Sequence, residues 1–199
     1  MTFSNRMCGK SSAEMRQKMN KMNYRIALQS KEMLIKGLLK IMETEDYTMI
    51  TVTQICQEAK LSRRTFYRLY TTKDDVLQEY MGSLSQEFLN VITELEPKHY
   101  SEVVMSYFEF WKRHEAFLLM LSKNRMLDII YRTAEGMARS ILQRIKPQVQ
   151  MENETLSFSL AYSIGGMNGI LIKWVQDGMK TTPEQIKVIL EKALLTAMI

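Results

Sequence analysis

The sequence predicts an all-α fold. Three Pro and eight Gly in 199 residues are few for a turn-rich β protein. Apolar residues recur at helical spacing along most of the chain, whereas no segment alternates apolar and polar residues as a strand would. Hydrophobic residues make up 46% and charged residues 25%, as in an ordinary soluble globular protein. The length allows one large domain, or a small and a medium domain.

The N-terminal segment changes character near residue 25. The segment before it is polar and weakly periodic, and we interpret it as a flexible basic arm, with a helical end as an alternative to full flexibility. Between Leu28 and Glu45 the apolar residues recur at helical spacing and predict a first helix. The predicted regions are the arm at 1–24, a small helical domain at 25–80 and a larger helical domain at 81–199.

Capping signals predict three further helix starts before residue 80. Thr51 is followed three positions later by Gln54, the spacing of a capping box. Ser62 is the predicted cap of the next helix, and Thr72 with Asp75 caps the one after it. Beyond residue 80 the pattern stays helical. It predicts helices over 101–121, 124–145 and 154–177, and a last helix after Thr182-Pro183.

Positive charge is concentrated at the N-terminal end. Residues 1–80 contain 14 Lys and Arg against 9 Asp and Glu, whereas residues 81–199 contain 13 of each. This asymmetry indicates an end that faces nucleic acid. A basic disordered tail is the alternative for part of the excess, because residues 1–31 hold seven Lys or Arg against Glu14 alone.

The helix after Ser62 is basic in an unusual place. Arg63 and Arg64 occupy its first turn, and no acidic residue lies between Lys60 and Thr72. A positive charge at the positive end of the helix dipole costs about 0.3–1 kcal/mol, and a bound polyanion reverses the sign of that term. The pattern therefore favours DNA recognition over a solvated basic surface helix.

A short basic helix after a tight turn is typical of a helix-turn-helix, whose second helix enters the major groove. Phe66 and Tyr70, four residues apart, are predicted to face inward. The outward-facing set is Arg63, Arg64, Thr65, Tyr67 and Arg68.

This segment resembles the TetR family of bacterial regulators over roughly residues 28–80. The matching residues are Thr51-Val52, Ile55, Ala59, Ser62, Thr65-Phe66-Tyr67, Tyr70 and Lys73-Asp74-Asp75-Val76-Leu77. The C-terminal stretch from Gly165 to Glu184 also resembles one TetR-like subgroup. The resemblance implies a three-helix helix-turn-helix DNA-binding domain followed by a C-terminal helical domain for dimerisation and ligand binding.

The resemblance also implies residue roles. Bases would be approached by Arg63, Arg64 and Thr65, with Ser62 and Arg68 beside them, and phosphates would be held by Thr51, Thr53, Tyr67 and Lys73. The chain departs from the family at Lys60, where Gly is usual in the turn. A left-handed Lys costs of order 1 kcal/mol, so the turn is either strained or differently shaped. The arm at residues 1–24 resembles minor-groove arms, with plain disorder as its alternative.

The implied function is a homodimeric regulator that binds a palindromic operator, represses, and is released by an apolar or amphipathic small molecule. The alternative is a TetR-like adaptor or co-activator that acts through a protein partner without ligand-controlled operator binding. Ala161, Gly165 and Gly169 recur every four residues and suit close helix approach, within the subunit or across a dimer; the resemblance favours the dimer. The expected pocket lining is Tyr107, Trp111, Met120, Tyr131, Met137 and Tyr162.

An enzyme is disfavoured. The two histidines, His99 and His114, have no catalytic partner at a recognised spacing, and the chain has no Gly-rich phosphate loop. Cys8 and Cys56 lack metal-ligand spacing, so neither a metal nor a cofactor is expected. The N-terminus is no secretory signal, and the apolar run 161–175 is too short to cross a bilayer. A cytoplasmic protein without membrane contact is therefore expected. The resemblance implies a bacterial protein that is associated with the nucleoid when bound to DNA.

Overall fold

The computed structural model describes residues 5–97, 99–145, 148 and 152–197, and within these ranges its regular elements are all helical. The all-α prediction is confirmed. The chain divides into two compact units, Met1–Glu79 and Tyr80–Ile199. The helices are α1 (Asn5–Met42), α2 (Val52–Glu58), α3 (Arg63–Leu69), α4 (Lys73–Leu95), α5 (Tyr100–Arg113), α6 (Glu115–Lys123), α7 (Asp128–Ile145), α8 (Asn153–Gln176) and α9 (Pro183–Ala197), with a 3-10 turn at Tyr47–Met49.

Helix α1 is longer than the first helix that periodicity predicts. It begins at Asn5, so most of the segment interpreted as a flexible arm is helical; residues 1–4 lie outside the described residues. The physical reason is composition, because residues 10–24 contain no Pro and many Lys, Met, Arg and Gln, which form helices readily. Residues 16–26 are exposed, so this part of α1 has no core-facing stripe that periodicity could detect.

The first unit packs α1 against α2 and α3. Leu34, Leu38, Ile55 and Phe66 are at most 1% exposed and form the centre of its core. Gly37 lets α1 approach α2 closely, because a Cβ at this position would lie 3.2 Å from the carbonyl oxygen of Ile55. A small residue at this crossing therefore sets how deeply α2 sits on α1.

The predicted caps are confirmed. The backbone N–H of Gln54 donates to Thr51 Oγ1 at 3.3 Å, and the backbone N–H of Thr51 donates to Gln54 Oε1 at 2.8 Å. These two bonds form the capping box of α2. The Thr65 amide donates to Ser62 Oγ at 3.1 Å at the start of α3. At α4, the Thr72 amide donates to Asp75 Oδ2 at 2.8 Å. These contacts satisfy backbone groups that a helix start leaves unpaired.

The sequence allows a strained turn or a differently shaped turn between α2 and α3, and the structure has the strained one. Lys60 has a φ of 52°, in the left-handed region where Gly is usual. The Leu61 amide closes the turn by donating to the Cys56 carbonyl at 2.9 Å. The departure from Gly therefore leaves the turn geometry intact and costs of order 1 kcal/mol of backbone strain.

The second unit packs α5 against α9, and α6 and α7 against α8. Phe108, Leu118, Leu121 and Leu171 are fully buried in its core. Trp174 Nε1 donates to the Thr181 carbonyl at 2.7 Å and so ties the end of α8 to the turn before α9.

Helix α8 extends beyond the apolar run that the sequence analysis considered. Among the helices in the described part of the chain, α8 alone is long and apolar enough to cross a membrane, by length and composition only. Of its most apolar 18-residue stretch, 17% is buried. The helix is longer than the run 161–175 because it already begins at Asn153 and includes the segment up to Leu160. The core helix of a soluble protein can have the same length and composition.

Candidate nucleic-acid interface and apolar cavity

Helix α3 presents a basic outer face. Arg63, Arg64 and Arg68 are exposed, and no acidic residue lies in the first turn. Tyr67 is 52% exposed, and its ring lies 5.8 Å from the Arg63 guanidinium carbon. Three guanidinium groups and a phenol hydroxyl thus share one short helix, a set of donors that suits phosphates and the edges of guanine.

Two aromatic side chains set the orientation of that face. Phe66 is fully buried and Tyr70 is 6% exposed, as the spacing predicts. Their ring centroids lie 5.8 Å apart, and Phe66 also makes an edge contact of 5.4 Å with Tyr67. Because these rings anchor one side of α3 in the core, the arginines are held on the opposite side.

The hydroxyl residues expected to contact DNA have different environments. Thr53 and Ser62 are exposed, whereas Thr65 is half-buried and its Oγ1 lies 3.0 Å from Ser62 Oγ. Thr51 Oγ1 lies 2.8 Å from Gln54 Oε1 within the capping box. The hydroxyls of Thr51, Ser62 and Thr65 therefore already serve the helix starts, and a phosphate would share them.

The Lys73 ammonium group, which is expected to hold a phosphate, already donates three hydrogen bonds within the first unit. Its Nζ donates to the carbonyl oxygens of Tyr47 at 2.6 Å, Thr48 at 3.1 Å and Ile50 at 2.8 Å. The ammonium also lies 4.7 Å from the centroid of the Tyr47 ring. The physical reason is that a carbonyl oxygen can accept two hydrogen bonds, so the carbonyls of the 3-10 turn before α2 attract the nearest cation even though that of Tyr47 also accepts from the Ile50 amide at 3.3 Å.

Asp74 reinforces the same contact between α4 and the turn. The Tyr47 hydroxyl donates to the Asp74 carboxylate. Burial, together with that carboxylate, raises the pKa of Tyr47 well above its usual range, so this tyrosine stays protonated. The Lys-acid pair at the start of α4 was recognised in the sequence, but its partners lie more than twenty residues away and no local pattern identifies them.

We expect Lys73→Met to lower the free energy of unfolding of the first unit by about 1–2 kcal/mol, because three carbonyls lose a charged donor and only water can replace it. The salt slope of DNA binding should stay unchanged. Urea unfolding and DNA titration at several salt concentrations measure the two quantities. A salt slope reduced by about one, with normal stability, would instead support the phosphate role.

The second unit contains an apolar cavity of about 340 Å³. Of the six residues expected to line a pocket, Tyr107, Trp111 and Met137 lie on its wall. The other three lie elsewhere, which corrects the expected lining: Tyr162 is 77% exposed, and Met120 and Tyr131 are half-buried away from the cavity. Helical periodicity does not say which side of a helix faces a void.

Helix α4 supplies a wall of the cavity that the sequence analysis missed. Met81, Leu84, Ser85 and Phe88 line it from this side. Those residues lie outside the aromatic-rich stretch 101–175 from which lining was inferred. Their helical spacing was visible in the sequence, but it is equally compatible with an ordinary core stripe.

The outer faces of α8 and α9 are uncovered in the described residues. Ala161 and Gly169 are exposed, and a Cβ at Gly165 or Gly169 would meet no neighbouring atom within 4 Å. The glycines of the small-residue stripe therefore make no close contact with other helices of their own unit among the described residues. The large apolar side chains exposed on these helices are Phe158 at 72%, Tyr162 at 77%, Val188 at 47% and Ile189 at 57%.

The remaining chemically reactive residues are dispersed. His114 Nε2 lies 3.3 Å from Glu87 Oε1 on the surface. Burial raises the pKa of the Cys56 thiol, so its thiolate is disfavoured. Among the residues that the structure describes, no group of three or more His, Cys, Asp or Glu could hold a metal ion.

These features define a helix-turn-helix transcriptional regulator with a separate C-terminal helical unit. Residues 98–195 match the model of the TetR-type transcriptional regulator C-terminal region. The chain belongs to the TetR family of transcriptional regulators.

A solved structure named dihydroxyacetone kinase operon activator DhaS is similar in fold, with a TM-score of 0.56 and 15% identity, covering 84% of this chain and 95% of that one. No curated protein matches the sequence.

Proposed function

We propose that the chain is a sequence-specific DNA-binding regulator whose α3 reads a palindromic operator. The observation that carries this proposal is the exposed set Arg63, Arg64 and Arg68 on a seven-residue helix without an acidic first turn. Residues 25–80 would form the DNA-binding domain, and residues 81–199 would form the dimerisation and ligand-binding domain. The regulator would act in the bacterial cytoplasm and require no metal or cofactor.

Homodimerisation through α8 and α9 is part of the proposal. The uncovered stripe Ala161, Gly165 and Gly169 allows close approach of a second helix, and the exposed Phe158 and Tyr162 lie on the same helix. Burying this apolar surface against a second copy would remove it from water at about 25 cal/mol per Å². A two-fold dimer would place its recognition helices about one DNA turn apart, roughly 34–36 Å.

The cavity supports control by a small molecule. We propose that an apolar or amphipathic effector binds there and shifts helices of the dimer. The distance between the two recognition helices would then no longer match the spacing of the operator half-sites. Repression relieved by the effector is the proposed sense of regulation.

The proposal is tested by selecting genomic DNA fragments with the purified full chain and measuring binding at about 50 and 200 mM salt. A dimeric operator binder should enrich a near-palindrome and lose affinity steeply with salt. The mass of the protein in solution, measured in parallel, tests the dimer. A monomer, or DNA binding without sequence enrichment, would contradict the proposal.

An adaptor or co-activator is the second candidate. The observation that favours it is the name of the structurally similar protein, an operon activator. A reporter placed behind the selected operator separates the two functions: repression lowers its expression when the regulator is present, and activation raises it. An adaptor that acts through a protein partner would show weak, unselective DNA binding in the fragment selection.

Tyr67→Phe should weaken binding to all DNA sequences by the same factor, about fivefold per half-site for one hydrogen bond of about 1 kcal/mol. The reason is that the exposed phenol hydroxyl is suited to a phosphate oxygen, which is the same in every sequence. Comparing Kd for the operator and for unrelated DNA measures this. A change in the preferred base at any position would mean that Tyr67 reads bases.

A further inference from the structure

The turn between α2 and α3 holds a lysine in a backbone conformation that favours Gly. Lys60 has a φ of 52°. Its backbone N–H donates to the Gln57 carbonyl at 3.1 Å, and the Leu61 N–H donates to the Cys56 carbonyl at 2.9 Å, so α2 ends in a left-handed cap. Gly adopts this conformation without strain, whereas a side chain at this position adds steric strain. The Lys60 side chain is therefore kept at a cost in stability.

The second unit contains a turn of the same geometry. Arg125 has a φ of 57°, and its N–H donates to the Ser122 carbonyl at 3.0 Å, while the Met126 N–H donates to the Leu121 carbonyl at 2.9 Å. Arg125 is also exposed. A cation at the end of a helix is favoured by the helix dipole, so a left-handed cation does not by itself indicate a ligand. What distinguishes Lys60 is its surroundings in the helix-turn-helix.

The Lys60 ammonium is available to an anion. Lys60 is exposed and takes part in no ion pair among the residues that the structure describes. The nearest acid along the chain, Glu58, is paired with Lys40 at 2.5 Å. The other lysine between residues 51 and 73 is Lys73, whose ammonium already donates to three carbonyls. Lys60 therefore contributes the unengaged ammonium of this segment.

Lys60 also lies beside the surface proposed to meet DNA. It precedes the cap Ser62 by two residues and Arg63 by three. In a helix-turn-helix the first helix crosses the phosphate backbone, and the N-terminal residues of the second approach base edges. The turn joins these two places, so a side chain that projects from it lies where the chain passes from the backbone into the groove. Phosphates are the anions found there, and the flexible stem of a lysine suits such a contact.

We propose that Lys60 donates to a phosphate of the operator backbone, next to the bases read by the first turn of α3. The contact positions that turn on one DNA strand and adds affinity. A phosphate is the same in every sequence, so Lys60 contributes nothing to base preference. This inference rests on the proposed function, because it concerns operator binding by the same helix-turn-helix.

Lys60→Gly tests the proposal, with Arg125→Gly as the matched control. Each variant removes one exposed cation and relieves one left-handed backbone, so each should leave the urea midpoint of its own unit at or above that of the wild type. Lys60→Gly alone should weaken operator binding, by about fivefold to tenfold per half-site for one ammonium–phosphate hydrogen bond. Its salt slope should fall by about 0.9 per protomer, with base preference unchanged.

Two further variants separate the charge of Lys60 from the flexibility that Gly adds. Lys60→Arg keeps a cation and should keep a salt slope close to that of the wild type. Lys60→Asn loses the cation, although Asn tolerates the left-handed conformation, and it should lose as much of the salt slope as Lys60→Gly. Titration of the full chain onto the operator duplex at several salt concentrations measures all four variants.

Three outcomes would overturn the inference. Equal operator affinity and salt slope in Lys60→Gly and Arg125→Gly would mean that Lys60 does not contact DNA. A change in the preferred base at any position would place Lys60 at a base edge. A lowered urea midpoint in Lys60→Gly, with the salt slope of the wild type, would give Lys60 a structural role. In each of these cases the wild-type chain still binds its operator, whereas a wild-type chain that binds no DNA would contradict the proposed function as well.

Discussion

Arg64→Ala is expected to lower the affinity for the operator by about 1–3 kcal/mol per half-site and to relax the base preference at one position of each half-site. Arg64 is exposed in the first turn of α3, the end of a recognition helix that comes closest to base edges. Its guanidinium can pair with a guanine through two parallel hydrogen bonds, and no other base offers the same two acceptors.

The measurement is a comparison of Kd for the selected operator and for all single-base variants of one half-site. The matched control is Arg139→Ala, which removes an exposed arginine from α7 in the other unit. The control should leave both Kd and base preference unchanged. An unaltered preference in Arg64→Ala, with affinity lowered equally for every sequence, would assign Arg64 to a phosphate instead.

Phe66→Ala is expected to lower the free energy of unfolding of the first unit by about 3–5 kcal/mol. Phe66 is fully buried where α3 packs against α1 and α2, and its ring contacts those of Tyr67 and Tyr70. Removing the ring leaves a void in a unit of fewer than eighty residues, whose small core has little stability to lose.

Urea unfolding followed by circular dichroism measures this change, with Tyr67→Phe as the control at the adjacent exposed position. The control should keep the midpoint of wild type, since it removes only a hydroxyl at a side chain that is 52% exposed. A loss below about 1 kcal/mol in Phe66→Ala would mean that the core of this unit closes around the void. DNA binding should fall with stability, because α3 loses its anchor.

Local patterns identified the helix-turn-helix because its information lies within a few residues. Two helix starts are marked by capping contacts between residues three apart, one between Thr51 and Gln54 and one between Ser62 and Thr65. The buried face of α3 is indicated by Phe66 and Tyr70, because residues four apart lie on the same side of a helix. The same reasoning placed Arg63 and Arg64 outside.

Local patterns failed where the deciding partner is distant or absent. The N-terminal half of α1 was missed because its residues 16–26 are exposed and have no apolar stripe to mark a helix. The three carbonyl partners of Lys73 were not predicted, because they lie on a turn that precedes it by more than twenty residues. The resemblance implies a phosphate contact for Lys73, and the fold adds contacts with the Tyr47–Met49 turn.

By itself the amino-acid sequence determined the all-α class, the helix caps, the basic face of α3 and the small-residue stripe of α8, because each depends on chain-local geometry and charge. Only the tertiary structure decided that Lys73 is engaged by carbonyls and that α4 forms a wall of the cavity. These features depend on which faces of distant helices meet. Helical periodicity shows that a face is apolar, but packing determines whether it meets a neighbouring helix, a void or the solvent.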